Sequence, residues 1–191
     1  MDFSYYHQLA KLRLVKFLEK NIGRLFTAQS LLLMTLDAQG LLPKAIKAFE
    51  PLGGYGLQTV PDYIDRVQSL DIVELVEKKF KILAKHYKNN PKVKAYCGDC
   101  MKFVAETSNK YNFIVTDTPF LPDNFIQAVL KLLEPGGIML YLLPLEAFAD
   151  FSEISARITG LAPAPPADIF PWVKNKSAAY AVVIMPRSDS L

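Results

Sequence analysis

The chain has 191 residues, of which 51% are apolar and 21% charged, a balance that suits one globular domain with a full core and excludes wholesale disorder. A formal charge of +3 permits contact with nucleic acid but falls short of the excess that marks a dedicated binder. The longest apolar runs, such as Ile138 to Leu145, are strand-length and exclude a membrane span. The N-terminus, MDFSYYHQLAKLRLVKFLEK, carries charges where a signal peptide would be apolar, so a cytoplasmic location is expected.

Leu9, Leu12, Val15, Phe17 and Leu18 recur at near-helical spacing, with Lys11, Arg13, Lys16 and Lys20 between them. This predicts an amphipathic helix that closes near Gly23. Its basic side reads either as a solvated face or as a nucleic-acid contact. A second helix is predicted from the N-cap Thr27 to Gly40. Residues 1–42 thus form a helical extension on a core of residues 43–191, within one domain overall.

After Pro43 the rhythm becomes that of strands and helices in turn. Strands are predicted at Lys44–Phe49, Leu70–Leu75, Val93–Cys97, Phe113–Thr116, Ile138–Leu143 and Ala179–Ile184. Between the first five lie helices around Asp62–Val67, Lys78–Tyr87, Cys100–Ser108 and Asn124–Leu133, then a turn at Glu134–Gly137. The tail adds a helix near Phe148–Ile158 and a proline-rich loop, APAPPADIFP. Such alternation predicts right-handed βαβ units, a mainly parallel sheet and helices on both of its faces.

The first strand runs into FEPLGGYGLQT, where Gly53, Gly54 and Gly56 crowd into four residues. Glycines there serve either a turn or a backbone that must pass close to a ligand. Ligands of open α/β sheets sit at the carboxyl ends of the strands. The carboxyl ends of the first four predicted strands each carry an acid: Glu50, Glu74, Asp99 and Asp117. Each alone reads equally as a solvated loop carboxylate or a helix cap; as a set they point to one rim. Cys97 and Cys100 form a single C-x-x-C, too little for a tetrahedral zinc site, and no metal is expected. The pair reads as two small residues beside a strand, with a redox pair as the alternative.

These pieces resemble the class I S-adenosylmethionine-dependent methyltransferases, and more narrowly those that methylate exocyclic amino groups of nucleobases. AFEPLGGYG is similar to their acid-Pro-Phe-x-Gly-x-Gly loop, with Glu50 for Asp and Leu52 for Phe. IVTDTPF resembles their Asp/Asn-Pro-Pro-Tyr/Phe motif, and GRLFTAQ the Gly-x-Phe-x-Thr-Pro stretch of one adenine-N6 subgroup. Small ribosomal RNA guanine-N2 methyltransferases share the acid-Pro-Pro-Phe signature. The resemblance implies a Rossmann-like fold with a mainly parallel seven-stranded sheet and S-adenosyl-L-methionine as cofactor.

By the same resemblance Glu50, Gly53, Gly54 and Gly56 hold the methionyl part, Glu74 the ribose hydroxyls, and Asp99 with the Cys100 N–H the adenine. Phe26 and Thr27 cover the methionyl end. Asp117 and the Thr118 carbonyl accept from the target amino group, Pro119 keeps Thr118 extended, and Phe120 stacks on the base. Thr118 stands where the family has proline. The implied partner is DNA or RNA. Two alternatives remain open at this stage: a non-catalytic methyltransferase-like subunit that binds a partner protein or a second copy, and an N-methyltransferase of small molecules or proteins. Phe170 and Trp172 read either as base-stacking groups or as packing over the sheet edge.

Overall fold

The computed structural model describes residues 33, 36–56, 60–116, 123–144, 158–163 and 178–184. Its elements are β1 (Ile46–Glu50), α1 (Val60–Tyr63), β2 (Val67–Glu74), α2 (Glu77–Tyr87), β3 (Val93–Cys97) and α3 (Cys100–Glu106), followed by β4 (Tyr111–Thr116), α4 (Asp123–Leu130), β5 (Leu133–Pro144), β6 (Ile158–Pro163) and β7 (Ala178–Ile184). Five parallel strands lie in the order β3-β2-β1-β4-β5. Beyond β5, β7 pairs antiparallel with it, and β6 pairs antiparallel with β7.

Alternate residues of the parallel strands feed two cores, one on each side of the sheet. Ala48, Ile72 and Phe113 point to the side covered by α1 and α2, where Val60, Tyr63 and Leu83 are buried. Phe49, Val73 and Ile114 point to the other, against Val104 of α3 and Phe125 and Val129 of α4. A strand with helices over both faces reads as a near-continuous apolar run. In β2 the buried run Leu70 to Glu74 follows this pattern through Leu70, Ile72 and Val73 and departs from it at the two acids, Asp71 and Glu74.

The end of the predicted second helix docks on the first core through Leu33 and Leu36. Gly40 stops it with φ +67°, and the Leu41 N–H reaches back to the Leu36 carbonyl at 2.9 Å, as a glycine-ended helix should. The helical extension over residues 1–32 lies outside the described residues.

Several boundaries differ from the sequence reading. The helix around Asp62–Val67 is instead α1 and a 3₁₀ turn at Ile64–Arg66. Val67 is taken by the sheet, buried and in register with Ile46, while Arg66 pairs with Asp37. The helix expected to reach Leu133 stops at Leu130, because Leu132 and Leu133 turn into the second core. The turn at Glu134–Gly137 lies within β5 as a bulge: Tyr111 pairs with Leu133, but Phe113 already pairs with Ile138. Ile158, Ala162 and Pro163, read as helix end and loop, belong to β6. That strand is at the sheet edge, where a proline's missing N–H is tolerated.

Candidate functional site

Strand order reverses between β1 and β4, since β2 and β3 continue to one side of β1 and β5 to the other. Such a switch point leaves a crevice outside the carboxyl ends, the usual ligand position of the architecture. Parallel pairing brings the ends of β1, β2, β3 and β4 to one rim. Glu50 is in register with Ile72, and Glu74 with Cys97. Glu50, Glu74 and Asp99 are therefore gathered by adjacent strands. Phe26, Thr27, Asp117, Thr118, Pro119 and Phe120, and also Phe170 and Trp172, lie outside the described residues.

The three crowded glycines have different reasons to be glycine. Gly53 donates its N–H to the Val73 carbonyl at 2.9 Å, and a Cβ there would sit 2.0 Å from Ile72 Cγ2. Gly56 has φ +66°, and a Cβ there would meet Leu83 Cδ1 at 2.9 Å. The Tyr87 hydroxyl donates to the Gly56 carbonyl at 2.6 Å. These two positions are dictated by packing on β2 and α2. Gly54 has φ +56°, and a Cβ added there would meet no atom within 4 Å. Of the three, only Gly54 presents bare backbone to open space.

Glu74 ties the loop down. Its Oε2 accepts the Gly54 N–H at 2.8 Å and its Oε1 the Val76 N–H at 2.7 Å. The carboxylate is buried, at 7% exposure, and has no ionic partner among the described residues. Two bonds leave about half the lone-pair sites of a carboxylate free to accept more. Glu50, equally buried, accepts from the Tyr63 hydroxyl at 2.6 Å. Burial, and after it the charge of Glu50, push the Tyr87 hydroxyl pKa upward. The rim thus holds two buried carboxylates whose negative potential is little screened by water.

Asp99 caps α3: its Oδ1 accepts from the Met101 and Lys102 N–H groups at 2.6 and 3.1 Å. Cys100 is buried, and burial first, then Asp99, pushes its thiol pKa up to about 12. Such a thiol stays protonated near neutrality, which opposes thiolate chemistry with the exposed Cys97. No cluster able to hold a metal occurs among the described residues, nor does a helix long and apolar enough to cross a membrane.

Three features of the rim escaped the sequence reading. Leu75 and Val76 stand 65% and 47% exposed directly after Glu74, and Tyr55 46% exposed in the glycine loop. Apolar residues immediately past a strand end, where solvated ones would do, were the available signal. Tyr63, the partner of Glu50, gave none. Thr116, the last described residue of β4, is buried with its Oγ1 lacking any hydrogen-bond partner among the described residues. Open backbone at Gly54, exposed apolar surface at Leu75, the spare acceptor capacity of Glu74 and the buried carboxylate of Glu50 together fit a nucleoside that carries a cationic amino-acid end.

A spermine/spermidine synthase domain profile matches residues 64–142. No curated protein sequence matches the chain. Among solved structures, the tRNA m1G37 methyltransferase of M. jannaschii is similar at a TM-score of 0.60 and 12% identity, over 80% of this chain and 48% of that one. The N-methyltransferase NodS of Bradyrhizobium japonicum WM9 is similar at 0.62 and 12%, over 83% and 95%. TYW2 of P. horikoshii, in complex with MeSAdo, is similar at 0.56 and 13%, over 83% and 61%. The chain spans about half the length of the first of these. The strand order and these likenesses agree: the chain has the α/β Rossmann-like fold of S-adenosylmethionine-dependent methyltransferases.

Proposed function

We propose that the protein is a methyltransferase that uses S-adenosyl-L-methionine to methylate an exocyclic amino nitrogen of a nucleobase in DNA or RNA. The observation that carries this is the rim itself, where the open backbone of Gly54 bonds the buried carboxylate of Glu74, and the buried Glu50 ends the neighbouring strand beside the switch point. The cofactor supplies a methyl group already activated on a sulfonium. Glu50, oriented by Tyr63, offers its charge to the cationic amino-acid end. Glu74 accepts ribose hydroxyls with the lone pairs left over from the loop, and Leu75 gives the adenine an apolar surface.

Asp117 follows directly on Thr116, at the end of β4. In this reading its carboxylate and the Thr118 carbonyl accept the two hydrogens of the target amino group. That favours a tetrahedral, electron-rich nitrogen over the planar one whose lone pair is shared with the ring. Pro119 keeps Thr118 extended, and Phe120 stacks on the base. The rest of the rate comes from alignment of the transfer.

Calorimetric titration with S-adenosylmethionine is expected to show binding that Gly54→Arg abolishes. Incubation with labelled cofactor and RNA or DNA is expected to label the nucleic acid, and Asp117→Ala to stop it. Full-rate transfer by Asp117→Ala would refute the amino-nitrogen mechanism; absence of cofactor binding would refute the whole reading. The match of residues 64–142 to a spermine/spermidine synthase domain favours one second reading, in which the acceptor amine belongs to a polyamine. Label appearing in added spermidine, and not in nucleic acid, would establish it.

A further inference from the structure

The opposite end of the sheet has a different character. On the α3 and α4 side, at the amino ends of the parallel strands, there is a cleft of about 590 Å³. Its walls carry four lysines, Lys47, Lys92, Lys94 and Lys110, against two acids, Asp71 and Glu134, an excess of two positive charges. Strand register sets the spacing: Lys47 of β1 is aligned with Ser69 of β2, and Lys94 of β3 with Asp71. The Leu70 N–H bonds the Lys92 carbonyl at 2.8 Å, which fixes Lys92 in the neighbouring row.

Two of the lysines are already engaged. Lys47 pairs with Glu134 at 3.2 Å, and Lys110 donates to the Lys131 carbonyl at 2.7 Å. The side chains of Lys92 and Lys94 are exposed, and their ammonium groups have no partner among the described residues. Asp71 makes no ion pair with either of them among the described residues. Its carboxylate is buried and accepts from the Tyr111 and Tyr96 hydroxyls and from Asn109 Nδ2, at 2.7, 3.3 and 3.0 Å. Those same bonds use the proton of each tyrosine hydroxyl, so neither is left to donate to a base.

We infer that this cleft holds the phosphodiester backbone of a single-stranded nucleic acid. Compact ammonium charges spread over neighbouring strands suit a string of phosphates better than one fixed phosphate, which would call for a bidentate fork or a ring of backbone N–H groups. The inference rests on the proposed nucleobase acceptor for the identity of the polyanion. It places an anchoring surface at the end of the sheet away from the acidic rim, so that one strand would be gripped at a distance from the base that reacts.

The test measures fluorescence anisotropy of a labelled oligouridylate of about a dozen nucleotides, with full-length protein, no cofactor and varied salt. A single strand loses about 0.7 from the slope of log K against log salt for each phosphate contact removed. Lys92→Gln/Lys94→Gln is therefore expected to lower the slope by about 1.4 and to weaken binding on the order of tenfold at about 0.1 M salt. The charge-matched control Lys81→Gln/Lys85→Gln on α2 is expected to bind like the parent. Equal loss in the control, an unchanged slope in the double variant, or inorganic triphosphate or polyglutamate competing as well as the strand would overturn the inference. The measurement involves no methyl transfer, so a failure of the proposed chemistry and a failure of this cleft give different results.

Discussion

Replacing Glu74 by glutamine tests whether the acid at the end of β2 shapes the glycine loop as well as serving a ligand. The carboxylate now satisfies two N–H groups, those of Gly54 and Val76. Glutamine keeps one acceptor oxygen and turns an NH₂ towards the other N–H, so one charge-assisted bond is lost and a donor faces a donor. Hydrogen bonds to charged groups contribute about 1.5–3 kcal/mol, and at 7% exposure water does little to replace one. A loss of about 2 kcal/mol in a chain of this length lowers Tm by about 4–8 °C. The assay is a thermal melt of parent and Glu74→Gln without cofactor, followed by calorimetric titration with S-adenosylmethionine. Cofactor affinity is expected to fall by tenfold or more, because the loop and the ribose contact fail together. A melt within about 1 °C of the parent would show that Glu74 does not hold the loop, and its assigned part in shaping the cofactor site would fall with that.

Gly53→Ala is expected to cost about 2–3 kcal/mol through its clash with Ile72, whereas Gly54→Ala costs about 1–2 kcal/mol through backbone strain alone; urea unfolding that ranks them the other way would refute the division of roles in the loop. Thiol titration near neutral pH should label Cys97 at once and Cys100 only on unfolding, because burial holds the Cys100 thiol at a pKa of about 12. Prompt labelling of both would contradict its burial. The hydroxyl pKa values of Tyr87, Tyr96 and Tyr111 are all raised, with burial the largest cause. Below an unfolded value of about 10 these groups are protonated in both states and their contribution is complete; above it the unfolded chain releases protons the fold retains. Stability should therefore decline as pH rises beyond about 10, and a urea midpoint that stays level there would disprove it.

What the sequence made legible was local. Val93–Cys97 matches β3 whole and the helix expected at Lys78–Tyr87 matches α2 to within one residue, because alternating or helical apolar spacing is written in neighbouring residues. Of the acids at strand ends, Glu50, Glu74 and Asp99 were legible through their position after apolar runs. Partnerships across the chain were not. Tyr63 meets Glu50 from 13 residues away, and Asp71 collects donors from 25, 38 and 40 residues away. No window of neighbours contains that information. Asp71 within LDIVE looks like one polar position of a strand, and the lysines at the amino ends look like scattered surface charge. They form a cleft only because four parallel strands, β3, β2, β1 and β4, start side by side. Asp99 shows the converse: two readings are visible in the sequence, and its two bonds to the α3 backbone show it in use as the helix cap.

The bond from the Tyr111 hydroxyl to Asp71 has a kinetic consequence. β2 and β4 are not neighbours; β1 runs between them, and its Phe49 ring stacks on Tyr111 at 5.0 Å. The bond closes only after three strands have found one another, the last of them brought from 40 residues away. A bond that needs three strands in place, one of them 40 residues distant, is expected to form late in folding, with a φ-value near zero for Tyr111→Phe. Tyr111→Phe is then expected to speed unfolding while leaving the refolding rate nearly unchanged, as stopped-flow mixing would record.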